Sequence, residues 1–186
     1  CVLHSAASAG AAITILSNAL MRANYNDIFV QNGGDVGRLD GLASRTLVGW
    51  QQRTTNDLNS LTHDPLFVQP GQGHFYPRSE TGRFDPTTCG FVFDGPGTNS
   101  PLIDTGAPQA DYALESAPNG GRVNIGVYGN HALASRSLTS AWLLAVSLND
   151  GGSIRGSNLI YWVAGGAATG HLVTLEFSAN GGVTWT

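Results

Sequence analysis

Lysine is absent from the 186-residue sequence, and all nine basic residues are arginine. Schiff-base chemistry, a lysine general base and a P-loop lysine are therefore excluded for this chain. Charged residues of both signs make up only 12% of the chain, and the net charge is −4 without any basic run. Because nucleic-acid binding needs clustered basic side chains to neutralise phosphates, the sequence excludes a nucleic-acid partner.

Cysteine and long apolar runs are also scarce. The two cysteines, Cys1 and Cys89, lie far apart and outside any CxxC pattern, which argues against a zinc site. The sequence is compatible both with a disulfide between these two cysteines and with two free thiols. No apolar run reaches the roughly 18 residues that span a bilayer, so the sequence predicts no membrane span.

Glycine is abundant, with 25 residues, while all eight prolines fall between residues 63 and 130. Frequent glycine turns suit short strands better than long helices, so the sequence predicts an all-β fold. Central strands and helix interiors exclude proline. Residues 63–130 are therefore predicted to be irregular or edge structure that covers a core built by the rest of the chain.

The first 62 residues contain short apolar segments separated by polar turns. Strands are predicted at Val2–Leu3, Ile13–Leu16, Ala19–Met21 and Ile28–Val30. Turns are predicted at Asn18, Asn24–Asp27, Gly33–Gly34 and Gly41. A helix over Ala6–Met21 is the alternative for the second strand, but β-branched Ile13 and Ile15 favour the strand.

One short helix is predicted within this region. Thr46 is placed to cap its N-terminus, with Leu47, Val48 and Trp50 following. The helical pattern fades by Thr54–Thr55.

From Leu138 onward the pattern indicates strands joined by glycine-rich turns. Strands are predicted at Trp142–Ser147, Leu159–Val163 and His171–Ser178, with a return strand at Val183–Trp185. Turns or loops are predicted at Asn149–Gly152, Gly165–Gly170 and Asn180–Gly182. The alternation over His171–Ser178 predicts a strand with one buried face. Trp162 is predicted to be a core residue on its strand.

Four motifs between residues 23 and 130 occur in a recognisable order. They are Ala23–Phe29 (ANYNDIF), His63–Val68 (HDPLFV), Ser100–Gly106 (SPLIDTG) and Gly120–Asn130 (GGRVNIGVYGN). In this respect the chain resembles the C-terminal end of bacterial right-handed parallel β-helix proteins. The resemblance implies that Asp64–Phe67 and Ser100–Asp104 mark the last turns and the closing cap. Because this ending occurs on proteins of unrelated function, it implies a fold more than an activity.

Two later stretches, Ser147–Trp162 and Leu172–Trp185, resemble a bacterial immunoglobulin-like module. About four strands are predicted there, whereas such a sandwich uses about seven. The predicted architecture is thus a set of parallel β-helix C-terminal coils with an irregular cap over residues 1–137. A partial immunoglobulin-like β-sandwich follows over residues 138–186.

Candidate functional residues are few. Trp50 and Tyr25 are the candidate glycan contacts, because aromatic rings stack well on sugars. The oxygen-rich stretch containing Asn24, Asn26, Asp27, Asp35 and Asp40 could hold calcium, although its spacing matches no EF-hand loop. No other cofactor is expected. No zinc pattern or nucleophile elbow is present among the sequence motifs.

His63, Asp64 and Asp104 have two interpretations. An acid–base role is one interpretation of His63 with Asp64. The favoured interpretation of Asp64 and of Asp104 is a turn in which the carboxylate accepts from nearby backbone N–H groups.

These observations predict a non-catalytic, extracellular or cell-surface structural segment. An incomplete sandwich could accept a strand from a neighbouring subunit, and strand addition of this kind joins subunits into filaments. Two alternatives stay open: an accessory C-terminal region of a secreted polysaccharide lyase or glycoside hydrolase, and a carbohydrate-binding or adhesive module.

Overall fold

The structure, a computed structural model, describes residues 1–16, 21–151, 154–168 and 170–186. The fold is mainly β, as the sequence predicts, with short strands and one α-helix over the described ranges. The strands are β1 (Val2–Ser5), β2 (Ala11–Ile15), β3 (Asp27–Val30), β4 (Asp35–Leu39), β5 (Leu42–Ser44), β6 (Phe67–Gln69), β7 (His74–Pro77), β8 (Arg83–Asp85), β9 (Gly90–Val92), β10 (Trp142–Ala145) and β11 (Trp162–Gly165). The helix α1 spans Leu47–Thr54, and 3-10 turns span Pro70–Gln72 and Gly166–Ala168.

The first strands stack in parallel. Strand β1 pairs with β3, and β2 pairs with β4, both in parallel register. A further parallel bridge joins Asp27 of β3 to Leu61. The backbone N–H of Ile28 donates to the carbonyl of Leu61 over 2.8 Å. Three successive stretches of chain therefore lie on top of one another at this point.

The predicted strands in this region are confirmed at three places. Val2–Leu3 and Ile28–Val30 lie within β1 and β3, and Ile13–Ile15 lie within β2, so the helix alternative for that segment is wrong. The predicted turn at Asn18 and most of the predicted strand Ala19–Met21 lie outside the described residues.

Helix α1 forms where the sequence predicts it. The Thr46 Oγ1 accepts from the backbone N–H of Gly49 at 3.1 Å, which satisfies one of the free donors at the N-terminus. The helix ends at Thr55, whose φ of 57° places it in the left-handed region. Leu47, Val48 and Trp50 are buried. The buried face of α1 thus joins the first core cluster.

This first cluster is built from Ile28, Val36, Leu47 and Trp50. Strand β4 passes directly beneath the indole, because Gly37 has no side chain there. A Cβ at Gly37 would lie 2.4 Å from the Trp50 ring. The helix can therefore approach the sheet this closely only over glycine.

The proline-rich window is irregular, as predicted. Between residues 63 and 130 it contains two antiparallel pairs, β6–β7 and β8–β9, joined by turns. Aromatic rings fill the space between them. The rings of Tyr76 and Tyr128 stack with centroids 4.2 Å apart, and Phe84 lies tilted beside Tyr76 at 5.7 Å.

A second core cluster is built from residues that are far apart in the sequence. Leu61, Leu102, Ile125 and Val146 pack together, and all four are buried. The backbone N–H of Ile125 donates to the carbonyl of Leu102 at 2.8 Å. Residues after 137 therefore pack against residues before it, and the predicted boundary at that position stays a prediction.

The last third of the chain departs from the expected strands. Strands β10 and β11 pair antiparallel, with Ala145 opposite Trp162. The predicted strand at Leu159–Val163 is thus shifted toward the C-terminus. Trp162 is 41% exposed, so its predicted core position is wrong. Among the described residues, β10 is the one strand that pairs with β11.

The predicted strand over His171–Ser178 is also wrong, because no ladder forms over those residues. The Asn180–Gly182 turn is present, and Phe177 and Thr186 exchange two backbone hydrogen bonds of 2.7 and 2.9 Å across it. We call residues 171–186 the C-terminal hairpin. Residues 152 and 169, which belong to the predicted turn and loop on its N-terminal side, lie outside the described residues.

Two findings bear on the expected surroundings of the protein. Cys1 and Cys89 are both exposed free thiols. Over the described ranges, no helix is long and apolar enough to cross a membrane.

Candidate functional site

Trp50, the first predicted glycan contact, lies in the middle of α1 and is 0% exposed. Its Nε1 donates to Asp57 Oδ2 at 3.1 Å, and its ring covers Gly37. Sugar stacking needs an open ring face, and burial leaves none here. The indole instead forms the centre of the first core cluster.

Tyr25, the second predicted glycan contact, is half-buried in the turn before β3 and has a φ of 54°. The guanidinium carbon of Arg122 lies 5.7 Å from the centroid of its ring, within the range of a cation–π contact. Tyr25 is thus partly accessible to solvent, whereas Trp50 is fully buried. A glycan role for Tyr25 stays a prediction.

The oxygen-rich stretch predicted for calcium is largely occupied by protein partners. Asp35 forms an ion pair of 2.7 Å with Arg38. Asp27 is fully buried, and its Oδ1 accepts from the backbone N–H of His63 at 3.1 Å. In the part of the chain that the structure describes, no three or more His, Cys, Asp or Glu side chains are placed to hold a metal ion. Bound calcium remains a prediction.

The turn interpretation of Asp64 is confirmed. Its Oδ1 accepts from the backbone N–H of Leu66 at 2.9 Å, two residues along the chain. The neighbouring His63 points elsewhere, with its Nε2 3.2 Å from Asn149 Nδ2. Burial lowers the pKa of the His63 imidazole. The two side chains have separate partners, so their geometry does not support an acid–base pair.

Asp57 is a structural centre that the sequence analysis did not single out. It is 0% exposed, and its two carboxylate oxygens accept from the side chains of Trp50, Asn26 and Ser60. The distances are 3.1, 2.8 and 2.8 Å. In the sequence, Asp57 lies in a polar stretch that follows the helix, and no local pattern marks it as a buried acceptor.

The predicted turn at Asp104 is present, but the predicted role of its carboxylate is wrong. Its carboxylate is buried, and Oδ1 accepts from Ser137 Oγ at 2.7 Å rather than from a nearby backbone N–H. Ser137 lies far along the chain, so no local pattern could reveal this contact.

The C-terminal hairpin exposes several large apolar side chains. The exposed fractions are 98% for Leu172, 59% for Leu175, 70% for Phe177, 79% for Val183 and 59% for Trp185. Single exposed apolar residues are ordinary, but several within one short segment make that segment a candidate interaction surface.

An apolar groove runs beside β10. It has a volume of about 170 Å³, and its lining includes Pro101, Ile103 and Leu138 together with the consecutive residues Trp142–Leu144. Because neighbouring strand residues point to opposite faces, a groove that touches all three follows the edge of the strand. The Trp142 Nε1 is buried there without a partner among the described residues. We call this feature the β10 groove.

Comparison with known proteins gave no match, whether against family models, curated proteins or solved structures. The resemblances to β-helix and immunoglobulin-like proteins therefore stay predictions.

Proposed function

We propose that this chain is a non-catalytic structural segment of an extracellular or cell-surface β-helix protein, and that it joins a neighbouring subunit by strand addition. The exposed apolar C-terminal hairpin is the observation that carries the proposal. Its apolar side chains recur at every second position from Val173 to Phe177, the pattern of a strand that can be added to a sheet edge.

The stacked parallel register supports the β-helix part of the proposal. Val2 pairs in parallel with Asp27, and Asp27 in turn bridges in parallel to Leu61. Successive coils of a β-helix place their strands in this way, with apolar residues such as Ile28 pointing to the interior. The proline-rich window after Leu61 would then be the cap that protects the last coil from pairing with other chains.

The β10 groove supports the strand-addition part. Strand β10 is hydrogen-bonded on one side to β11, and the groove follows it. A strand laid there would gain main-chain hydrogen bonds from the edge of β10. Its apolar side chains would contact Ile103 and Leu138.

A standard interface buries about 800 Å² on each partner. The hairpin offers five large apolar side chains, each more than half exposed, to such a contact. Because donor and acceptor are different surfaces of one chain, the contact is heterologous and produces open fibres unless it closes into a ring.

Sedimentation velocity and electron microscopy of the chain at increasing concentration test the proposal. We expect concentration-dependent oligomers or filaments. Phe177→Glu should abolish them, because it places a charge on the added strand. Phe93→Glu is the matched control, since Phe93 is 72% exposed and lies outside the hairpin.

Two results contradict the proposal. One is a wild-type chain that stays monomeric at every concentration. The other is assembly that both glutamate variants preserve.

A further inference from the structure

Two buried carboxyl groups lie in the irregular region that follows the proline-rich turns. Asp104 is 3% exposed and Glu115 is 5% exposed. Each group has one oxygen with hydrogen-bond partners. The other oxygens, Asp104 Oδ2 and Glu115 Oε2, are buried and have no partner within the described residues. An ionised carboxylate in such a position costs free energy unless a charge, a donor or a proton compensates for it.

Asn124 connects the two groups. Its backbone N–H donates to Glu115 Oε1 at 2.9 Å, and its side-chain Oδ1 accepts from the backbone N–H of Asp104 at 2.8 Å. A second donor, the backbone N–H of Asn130, reaches the same Glu115 oxygen at 2.9 Å. The carboxyl groups thus belong to one hydrogen-bonded network that holds three segments of chain together.

The surroundings of Asp104 leave little space for a bound cation. Its Oδ2 lies directly against the backbone of Gly120, where a Cβ would come within 2.1 Å of that oxygen. On the other side, Ser137 Oγ donates to Oδ1 at 2.7 Å. A proton needs no such space, so it is the cation that fits this position.

Arg122 is the positive side chain nearest to the network, but its guanidinium is directed elsewhere. Its Nε donates to the carbonyl of Gly106 at 2.6 Å, and its Nη2 to the carbonyl of Thr105 at 3.4 Å. Its charge therefore acts on Asp104 from a distance, without a direct ion pair. Two further titratable groups lie near the network: Asp111, which accepts from the side chain of Asn130 at 3.4 Å, and Tyr112, whose hydroxyl lies beside Gly121.

Electrostatics agrees with the geometry. Burial, the largest cause, and the negative charge of Glu115 together raise the pKa of Asp104 to about 6, against the opposing effects of the Ser137 hydrogen bond and the Arg122 charge. Burial also raises the pKa of Glu115 against the effect of its two backbone donors. Each carboxylate makes ionisation of the other less favourable.

We propose that Asp104 and Glu115 form a buried acid pair that retains a proton in the folded protein, and that full ionisation of the pair loosens the contact between Leu102–Thr105 and residues 115–137. The pair is thus a pH-sensitive latch on the second core cluster. Ile103 of the latched segment also lines the β10 groove, but the argument for the latch does not rest on the proposed assembly role.

The sign of the effect follows from the raised pKa. The stabilisation is fully present below the ordinary pKa of 3.8 and is lost as the pH rises through about 6. The second core cluster should therefore be held most tightly in mild acid. Because the Ile125 N–H donates to Leu102 and the Ser137 N–H donates to Pro118, these two amides report on the contact.

Native-state hydrogen exchange on the intact chain between pH 5 and 7.5, corrected for intrinsic rates, tests the latch. We expect the protection of the Ile125 and Ser137 amides to fall as the pH rises. In Asp104→Asn this pH dependence should largely disappear. Asparagine tolerates the positive φ of 58° at this position and keeps an oxygen for Ser137. Glu176→Gln, at an exposed carboxylate, is the control that should leave it unchanged.

A carboxyl carbon NMR titration of the unaltered protein provides an independent readout if the variant does not fold. We expect the Asp104 carboxyl to titrate near 6 rather than near the ordinary value of about 3.9. Titration at the ordinary value overturns the proposal. So does an Asp104→Asn protein whose amide protection has the same pH dependence as the wild type.

Discussion

Gly37 lies in β4 directly beneath the indole of Trp50. A methyl group at this position would meet the ring at 2.4 Å, well inside van der Waals contact. Because Trp50 is fully buried and its Nε1 is bound to Asp57, the ring has little freedom to move away. Gly37→Ala should therefore lower the free energy of unfolding by roughly 1–3 kcal/mol or more.

Urea denaturation of Gly37→Ala beside Gly71→Ala measures this effect. Gly71 is exposed, and a Cβ there would have no atom within 4 Å. The control should stay within about 0.5 kcal/mol of the wild type. Equal stability of the two variants would show that α1 does not pack on β4 in this way.

The environment of a single residue was only partly predictable from the sequence. Asp64 was correctly interpreted, because its partner Leu66 lies two residues away. Asp104 was not, because its partner Ser137 comes from a distant segment. Trp50 and Trp162 show the same limit for burial, since the first is 0% and the second 41% exposed. Whether an aromatic ring is buried depends on which distant segments pack over it. The sequence pattern around the ring does not contain that information.

Helix α1 is the element whose local signals were sufficient. Thr46 supplies the N-terminal hydrogen-bond acceptor, and the apolar residues after it have helical spacing. Thr46→Ala removes that acceptor and should cost about 1 kcal/mol of stability. Thr46→Ser keeps the hydroxyl and should be close to neutral. Urea denaturation of both variants decides the point, and an equal loss in both would assign the effect to the Thr46 methyl group instead.

The sequence predicted where several strands lie, but it did not predict which strands pair with each other. The β-branched residues of β2 indicate an extended chain, yet its parallel neighbour β4 lies beyond another strand in the sequence. The same reasoning explains the error over His171–Ser178. Its alternation predicts a strand, but a strand also needs a neighbouring edge, and over these residues the described backbone pairs only at Phe177.

A buried carboxyl in strand β3, Asp27, also makes the stability of the protein depend on pH, in addition to the acid pair. Burial, the largest cause, and the charge of Asp64 together raise the pKa of Asp27 to about 7, against the opposing effect of the hydrogen bond from the backbone N–H of His63. The stability from this group is complete below the ordinary pKa of 3.8 and is lost as the pH rises through about 7. Thermal unfolding should therefore occur at a lower temperature at pH 8 than at pH 5.

Asp27→Asn isolates this contribution. The amide keeps an oxygen for the His63 N–H but cannot ionise, so the unfolding temperature should vary less with pH than in the wild type. Glu176→Gln again provides the exposed comparison. An Asp27→Asn profile parallel to that of the wild type would contradict the assignment. Hydrogen exchange at the Ile125 amide, which reports on the acid pair, separates the effect of that pair from the effect of Asp27.

The distribution of packing along the chain predicts where the folded protein is cleaved. Both core clusters are built from residues no later than Val146, whereas the C-terminal hairpin exposes its apolar side chains and makes few backbone hydrogen bonds. Such segments open at little free-energy cost. Limited chymotrypsin digestion should therefore cut first at Leu172, Phe177 or Trp185 and leave the preceding part of the chain intact.

Assembly should change this cleavage pattern. If the hairpin adds as a strand to the β10 groove of another copy, its bonds become protected as oligomers form, so cleavage should slow at high protein concentration. Phe177→Glu should be cut at Leu172 at the same rate at every concentration. Rapid cleavage of the hairpin within assembled wild-type material would mean that the subunits are joined elsewhere, and that the exposed apolar hairpin is not the surface that connects them.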